Sequence, residues 1–179
     1  MSDNYGVYGI SIDDILFNMK KMEAVMQIEK KKLEICLIGG TACLLTGLVN
    51  RATVDYDLLN LDYKPEARNY LNFFNPYDLV DFEATTIPRS YYSRTKTVFQ
   101  GEYLHCKILG IEDLILSKLC RNLEKDFSDI DALIDNTEME TVIGLVNEVK
   151  KDINSRYPRI QANFMVSVST FMKRYHIEF

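Results

Sequence analysis

The stretch Cys36-Leu-Ile-Gly-Gly-Thr-Ala-Cys-Leu-Leu-Thr-Gly-Leu-Val-Asn-Arg-Ala-Thr-Val-Asp-Tyr-Asp-Leu-Leu59 joins an apolar run, two glycines and two aspartates on alternate residues. In an extended strand, side chains two residues apart share one face and lie roughly 6.5–7 Å apart. Asp55 and Asp57 therefore form a pair of like charges that favours a cation between them. Such oxygen ligands suit Mg²⁺, which is usually held by one or two carboxylates together with substrate phosphates and water.

The glycine pair lies upstream, where the apolar run ends. Gly39-Gly40-Thr41 leads into Ala42-Cys43-Leu44-Leu45, which has the composition of a first helical turn. Backbone N–H groups at the start of a helix can accept a phosphate. The segment therefore predicts a strand, a phosphate-accepting turn and an acidic strand in that order.

These residues resemble the first motif of the DNA polymerase β-type nucleotidyltransferase superfamily, in which a Gly-Gly or Gly-Ser turn precedes an Asp-x-Asp pair on a strand. Gly-Gly-Thr-Ala followed by Arg51-x-Thr53-x-Asp55-x-Asp57 is similar in particular to a bacterial branch of minimal nucleotidyltransferase-like proteins that includes abortive-infection toxins. The resemblance implies that Asp55 and Asp57 hold Mg²⁺ or Mn²⁺. It also implies that Gly39, Gly40 and Thr41 cradle the phosphates of an NTP.

The resemblance also calls for a third carboxylate on a neighbouring strand. The run from Leu79 to Ala84 has the alternation of a strand, with Asp81 and Glu83 on one face and apolar residues on the other. Either Asp81 or Glu83 could be the additional metal ligand or base. A merely solvated strand face explains both residues equally well.

A second segment carries a weaker form of the same resemblance. Gly110 precedes a predicted helix from about residue 111 to 123, with Lys118 and Arg121 at the edge of its apolar half. This segment and the following Lys125-Asp126-Phe-Ser-Asp129-Ile-Asp131 are similar to a Lys-x-x-Arg and Lys-Asp-x-x-Asp region of that branch. The resemblance implies that Lys118 contacts nucleotide phosphates, helped by Arg51 or Arg121, and that Asp126 completes the site. An ion-pair network between helices is the structural alternative.

Other phosphate-binding motifs fit the sequence less well. The glycines are not followed by the Gly-Lys-Ser/Thr of a P-loop, and no G-x-G-x-x-G is present. Leu59 stands where haloacid-dehalogenase-like phosphatases normally carry Thr. A glycosyltransferase-type Asp-x-Asp remains open, as does a purely structural glycine loop beside a solvated acidic strand.

The totals describe one domain. The chain has 179 residues and a formal net charge of −5, which argues against broad, nonspecific affinity for nucleic acid. Four cysteines without C-x-x-C spacing indicate reduced core residues. We find no apolar run long enough to cross a bilayer, and the polar first residues do not resemble a signal peptide, so a cytoplasmic location is expected.

The predicted fold is α/β (α+β), a small mixed sheet packed by helices. We expect one nucleotidyltransferase-like domain over 1–179, with a sheet-containing core to about residue 110 and a helical extension from about 111 to 179. The main predicted elements are a helix capped by Ser11, strands at 33–38 and 79–84, a helix at 65–74, a hairpin at 97–109 and helices thereafter, the last opening at Pro158.

The expected function is metal-dependent transfer of a nucleoside monophosphate from an NTP to a hydroxyl or phosphate. The acceptor could be tRNA, protein or a small molecule. Two interpretations from other classes remain: a catalytically silent nucleotide-binding module, and an interaction protein of a toxin–antitoxin pair. The apolar stripe of the last helix could dock on the domain or, in the second interpretation, bind a cognate antitoxin or form a homodimer.

Overall fold

One five-stranded mixed sheet organises the chain, and the computed structural model describes residues 9–50 and 53–177. The strands are β1 (Leu33–Ile38), β2 (Tyr56–Leu59), β3 (Tyr77–Val80), β4 (Lys96–Gln100) and β5 (Leu104–Ile108). Their order across the sheet is β3-β2-β1-β5-β4. The central β1 is antiparallel to β2 and parallel to β5, while β2 and β3 are parallel and β4 and β5 are antiparallel.

Seven α-helices accompany the sheet in the described residues. They are α1 (Ile12–Glu29), α2 (Gly39–Leu45), α3 (Pro65–Leu71), α4 (Ile111–Lys118), α5 (Glu124–Ile134), α6 (Met139–Asp152) and α7 (Pro158–Arg174). Short 3₁₀ turns occupy Asn72–Phe74, Phe82–Ala84, Arg89–Arg94 and Ile153–Ser155. The predicted mixed sheet packed by helices, with a helical C-terminal part, is confirmed.

The core lies between the sheet and the helices. Ser11 caps α1 through a capping box with Asp14, as predicted, and the buried methionines of α1 follow a helical spacing. This helix packs against β5 and the 3₁₀ turn after α3, whereas α4 packs against α2, α5 and α6. Within the described residues, none of the helices is both long enough and apolar enough to span a membrane.

The predicted strand over 79–84 is wrong in its position. β3 runs from Tyr77 to Val80, because its partner β2 ends at Leu59 and offers no further strand to pair with. The side chain of Asn60 donates to Asp81 over 2.8 Å, and the chain then enters a 3₁₀ turn that contains Glu83. Asp81 and Glu83 therefore do not lie side by side on a strand face.

The predicted helix over 111–123 is also shorter in the structure. α4 ends at Lys118, and a turn with Asn122 at φ 55° separates it from α5. Arg121 consequently lies in the turn between two helices. This break allows the Arg121 side chain to contact Asp126 on α5. In a continuous helix the side chain would point in another direction.

Candidate active site

Asp57, one member of the predicted acidic pair, meets the glycine turn at the C-terminal end of β1, whereas Asp55 lies in the bend before β2 and not on the strand as predicted. The β1–β2 register places Asp57 opposite Ile38, the residue before the glycines. Gly39 has φ +61°, and a Cβ atom built on it would overlap the Asp57 carboxylate. Glycine is needed here for two independent reasons, the positive φ and the close approach of the carboxylate.

Two hydroxyl groups bind the backbone just before β2, and one of them comes from α2. Thr41 is fully buried, and its hydroxyl donates to the Asp55 carbonyl over 2.9 Å. The Thr53 hydroxyl donates to the same carbonyl over 3.2 Å and lies 3.5 Å from the Asp55 carboxylate. The Thr41 hydroxyl therefore positions the Asp55 backbone and is not available to the phosphate that Thr41 is predicted to help bind.

A cavity of about 280 Å³ opens beside the Asp57 carboxylate. Segments that are distant in sequence enclose it: the β1–α2 junction, the end of β3, the α4–α5 turn and the first turns of α7. The lining residues are Ile38, Gly39, Asp57, Val80, Ala84, Thr85, Ser117, Lys118, Cys120, Arg121, Arg159, Ile160 and Asn163. Of the three residues predicted to cradle phosphate, Gly39 lines the cavity, whereas Gly40 and Thr41 do not.

Asp57 carries a charge that the protein leaves largely uncompensated. Burial raises the pKa of Asp57, and the neighbouring charges of Asp55 and Asp78 raise it further, against the weaker opposing effects of Arg121 and Lys118. Within residues 9–50 and 53–177, no side chain forms a hydrogen bond or ion pair with this carboxylate. A cation bound at the cavity would relieve this unfavourable electrostatic environment.

Asp78 is an acidic neighbour that the sequence interpretation missed. The β2–β3 register pairs Asp57 with Asp78, so the two residues share one face of the sheet. The repeated triplet Tyr-Asp-Leu at 56–58 and 77–79 is the sequence signal that could have identified it. A parallel alignment of the two triplets gives the observed register.

The two residues predicted as the third carboxylate lie elsewhere. Asp81 accepts hydrogen bonds from Asn60 and from the Tyr157 hydroxyl, at 2.8 and 3.3 Å, and the Glu83 carbonyl accepts the Tyr157 N–H at 3.0 Å. Both residues contact the start of α7 in this way, and neither lines the cavity. The placement of Asp81 and Glu83 at the acidic pair is therefore corrected.

The chemistry of the donor set fits an ion such as Mg²⁺, whose coordination shell would be completed by substrate phosphates and water. Across the described parts of the chain, no group of three or more His, Cys, Asp or Glu side chains has the arrangement of a metal site. Asp55 and Asp57 offer two carboxylates, and Mg²⁺ commonly takes one or two from the protein and its other ligands from phosphates and water.

Lys118, Arg121, Asp126 and Asp129 form an ionic network between α4 and α5, in which Arg121 is exposed and the other three residues are buried. The Lys118 ammonium lies 2.6 Å from Asp129 and 3.9 Å from Asp126. The Arg121 guanidinium contacts both oxygens of Asp126, at 2.6 and 3.2 Å. The predicted ion-pair alternative is confirmed. Asp126 is fully buried against Arg121, so its assignment as a residue that completes the catalytic site is corrected, while both cations still line the cavity.

Two polar cavity residues come from α7, for which the sequence predicted only an apolar stripe. Arg159 and Asn163 both line the cavity, and the Asn163 amide donates to the Cys120 carbonyl over 3.1 Å. The stripe itself docks on the domain, with Phe164 and Phe171 fully buried. No spacing in the sequence indicates that Arg159 and Asp57 line the same cavity. Arg51, the other cation predicted to offset phosphate charge, lies outside the described residues.

Comparison with known proteins identifies the family. Searches of curated proteins and of solved structures gave no significant match. Residues 14–176 match the family described as "Nucleotidyltransferase of unknown function (DUF6036)", which accounts for nearly the whole chain. The general resemblance inferred from Gly39-Gly40 and the Asp55/Asp57 pair is thereby confirmed, and the chain belongs to this nucleotidyltransferase family.

Proposed function

We propose that this chain is a metal-dependent nucleotidyltransferase that moves a nucleoside monophosphate from an NTP to an acceptor hydroxyl or phosphate. In this reaction an acceptor oxygen forms a bond to the α-phosphorus, and the bond from that phosphorus to the bridging oxygen breaks. Pyrophosphate leaves, and the acceptor loses a proton if it is a hydroxyl. Family membership supports the general activity. The metal, the NTP and the acceptor are part of the proposal.

One observation carries the proposal: the Asp57 carboxylate lies against Gly39 at a cavity wall without a partner among the described residues, although burial and like charges raise its pKa. Functional carboxylates are characteristically found in such perturbed environments. Asp57, together with Asp55, would hold Mg²⁺ or Mn²⁺, which supplies charge neutralisation for the phosphates when it is bound.

The remaining roles belong to groups around the cavity. Gly39 has no side chain, so backbone and ligand can approach the carboxylate closely. Lys118 and Arg121 line the cavity and add positive potential, although each is also bound to a buried carboxylate. Phosphoryl transfer depends mostly on positioning and charge stabilisation, which this arrangement can provide. We propose the toxin-like branch from the sequence resemblance, and the cytoplasmic location and a homodimer or antitoxin partner from the other sequence features described above.

A catalytically silent nucleotide-binding module is the second candidate, and two observations favour it. The Thr41 hydroxyl is engaged inside the protein, and the Lys118 ammonium is paired with Asp129. Fewer groups are therefore free to act on a phosphate than the sequence predicts. Such a module would bind NTP and metal without turnover.

The test is transfer of label from each of the four NTPs, labelled at the α-phosphate, to total cellular RNA or total protein with Mg²⁺ or Mn²⁺. We expect label on one acceptor class with release of pyrophosphate. Asp57→Asn and Asp55→Asn should each reduce transfer at least about a hundredfold, because one preorganised charge interaction commonly contributes that much.

Asp135→Asn is the matched control, since Asp135 is exposed at the end of α5 and lies outside the cavity lining. It should transfer label as the native chain does. Equal labelling by the native chain and Asp57→Asn would refute the mechanism. NTP binding by the native chain without transfer to any acceptor would establish the silent module instead.

A further inference from the structure

We propose that Arg159, on α7, is the side chain that binds the polyphosphate tail of the NTP. This inference rests on the proposed function and assigns its main phosphate contact to a helix outside the sheet-containing core. It follows from a comparison of the cations around the cavity, each considered with its existing partners.

Three cationic side chains line the cavity in the described residues: Lys118, Arg121 and Arg159. The first two belong to the network between α4 and α5, where Lys118 lies 2.6 Å from Asp129 and Arg121 lies 2.6 Å from Asp126. Each positive charge is thus matched by a buried carboxylate. A phosphate that drew either cation away would break its ion pair with a buried carboxylate, which is costly.

Arg159 differs from both residues in having no such partner. Like Arg121 it is exposed, but in the described parts of the chain no carboxylate lies within ion-pair distance of its guanidinium. Its positive charge is therefore available to a ligand without loss of an internal contact. A guanidinium also presents a planar fork of donors that matches phosphate oxygens.

The start of α7 is held firmly enough to aim this side chain. The Tyr157 N–H donates to the Glu83 carbonyl over 3.0 Å, immediately before the helix begins. One helical turn later the Asn163 amide donates to the Cys120 carbonyl over 3.1 Å, and Phe164 is fully buried. Arg159 and Asn163 are four residues apart, so both lie on the helix face that lines the cavity.

In this arrangement two walls of the cavity have different roles in binding the NTP. Asp57 lies on the sheet side and, with Asp55 just before β2, would hold the metal ion. Arg159 lies on the α7 side and would contact phosphate oxygens directly. An NTP between the two walls would have its negative charge matched from both sides, as preorganised phosphate sites require.

The test is isothermal titration calorimetry of the full chain with each of the four NTPs in Mg²⁺. The tightest NTP is followed by its diphosphate, its monophosphate and its nucleoside. Arg159→Gln should weaken NTP binding about tenfold to a hundredfold, the range expected for loss of a charge-assisted hydrogen bond. The loss should shrink as phosphates are removed and vanish for the nucleoside, while Arg159→Lys should restore part of the affinity.

Arg68→Gln is the matched control. Arg68 lies on α3, is exposed and is not part of the cavity lining, and its replacement changes the net charge by the same amount. It should bind NTP as the native chain does. Thermal unfolding of all variants should match that of the native chain, because each altered side chain is exposed.

The outcomes separate this inference from the proposed function. A native chain that binds none of the NTPs would refute both. A native chain that binds NTP only as tightly as Arg159→Gln does would overturn only the assignment of Arg159. Equal weakening for the NTP, the monophosphate and the nucleoside would also overturn it, since the contact would then be to the base or sugar.

Discussion

Two kinds of charge surround the same cavity, and they differ in how the protein treats them. The Lys118–Asp129 pair connects α4 to α5, and the Arg121–Asp126 pair connects the intervening turn to α5, so both are satisfied within the fold. Asp57, which lines the same cavity, has no partner among the described residues. Buried charges that are paired sustain a structure, whereas an unpaired one is a functional candidate. The comparison assigns stability to the first group and ligand binding to the second.

The largest expected effect comes from breaking the paired group. Lys118→Met should lower the free energy of unfolding by about 3–5 kcal/mol, because Asp129 stays buried without the ammonium that lies 2.6 Å from it. Urea-induced unfolding followed by circular dichroism measures this loss. The double variant Lys118→Met/Asp129→Leu should recover much of it, since a buried pair replaced by apolar groups is often neutral.

A matched control for this prediction is an exposed ion pair. Arg89 binds Asp152 at 2.8 Å with more than half of its side chain exposed, so Arg89→Gln should cost less than about 1 kcal/mol. If Lys118→Met cost no more than Arg89→Gln, the network would not be a structural element. The distinction between its cations and Arg159 would then lose its basis.

The second prediction concerns the contact that positions the unpaired charge, in which the carboxylate of Asp57 lies against Gly39. Gly39→Ala should destabilise the protein by about 1–2 kcal/mol from the positive φ alone, and by more because the new Cβ displaces Asp57. Gly47→Ala separates the two effects. Gly47 has φ +74°, but a Cβ added there would meet nothing within 4 Å, so this variant reports only the backbone strain.

Chemical denaturation of both variants gives the difference. A larger loss for Gly39→Ala, together with weaker NTP binding, would sharpen the comparison by showing that the position of Asp57 matters to the ligand. Equal losses for the two variants would mean that Asp57 moves aside freely. In that case the close approach would not be a fixed part of the site.

Local sequence pattern predicted those features that depend on neighbours in the chain. The Ser11-capped helix, the buried strand before Gly39 and the acidic strand with Asp57 are all set by spacing and by turn residues. The mixed sheet with a helical C-terminal part followed from the order of these elements. The pairing of Lys118 with a carboxylate was one of two interpretations that the sequence left open.

Features that depend on tertiary packing were missed or misplaced. The limit of β3 at Val80 depends on where β2 ends, so the strand predicted for 79–84 was displaced and Asp78 was overlooked. The contribution of Arg159 depends on how α7 crosses the cavity mouth, which periodicity within α7 does not encode. Thr41 was assigned to phosphate from its place in the glycine motif, and the contact of its hydroxyl with the Asp55 carbonyl, fourteen residues away, was missed.

The third prediction, the smallest in size, tests the unpaired group itself. Burial and neighbouring acids raise the pKa of Asp57 above its ordinary value of 3.8. The folded state therefore disfavours the ionised form, and the free energy of unfolding falls as pH rises from 3.8 through the folded-state pKa. Asp57→Asn should thus be more stable than the native chain at pH 7, and this gain should disappear as pH falls towards 3.8.

Thermal unfolding across this pH range measures the gain, and Asp135→Asn, at an exposed carboxylate, corrects for a general surface-charge effect. Addition of Mg²⁺ with NTP makes the test specific, because a bound cation favours the ionised carboxylate. The ligands should raise the melting temperature of the native chain more than that of Asp57→Asn. If Asp57→Asn were instead less stable than the native chain at pH 7, Asp57 would be a structural charge like Asp129. The distinction between the paired charges and the unpaired Asp57 would then fail.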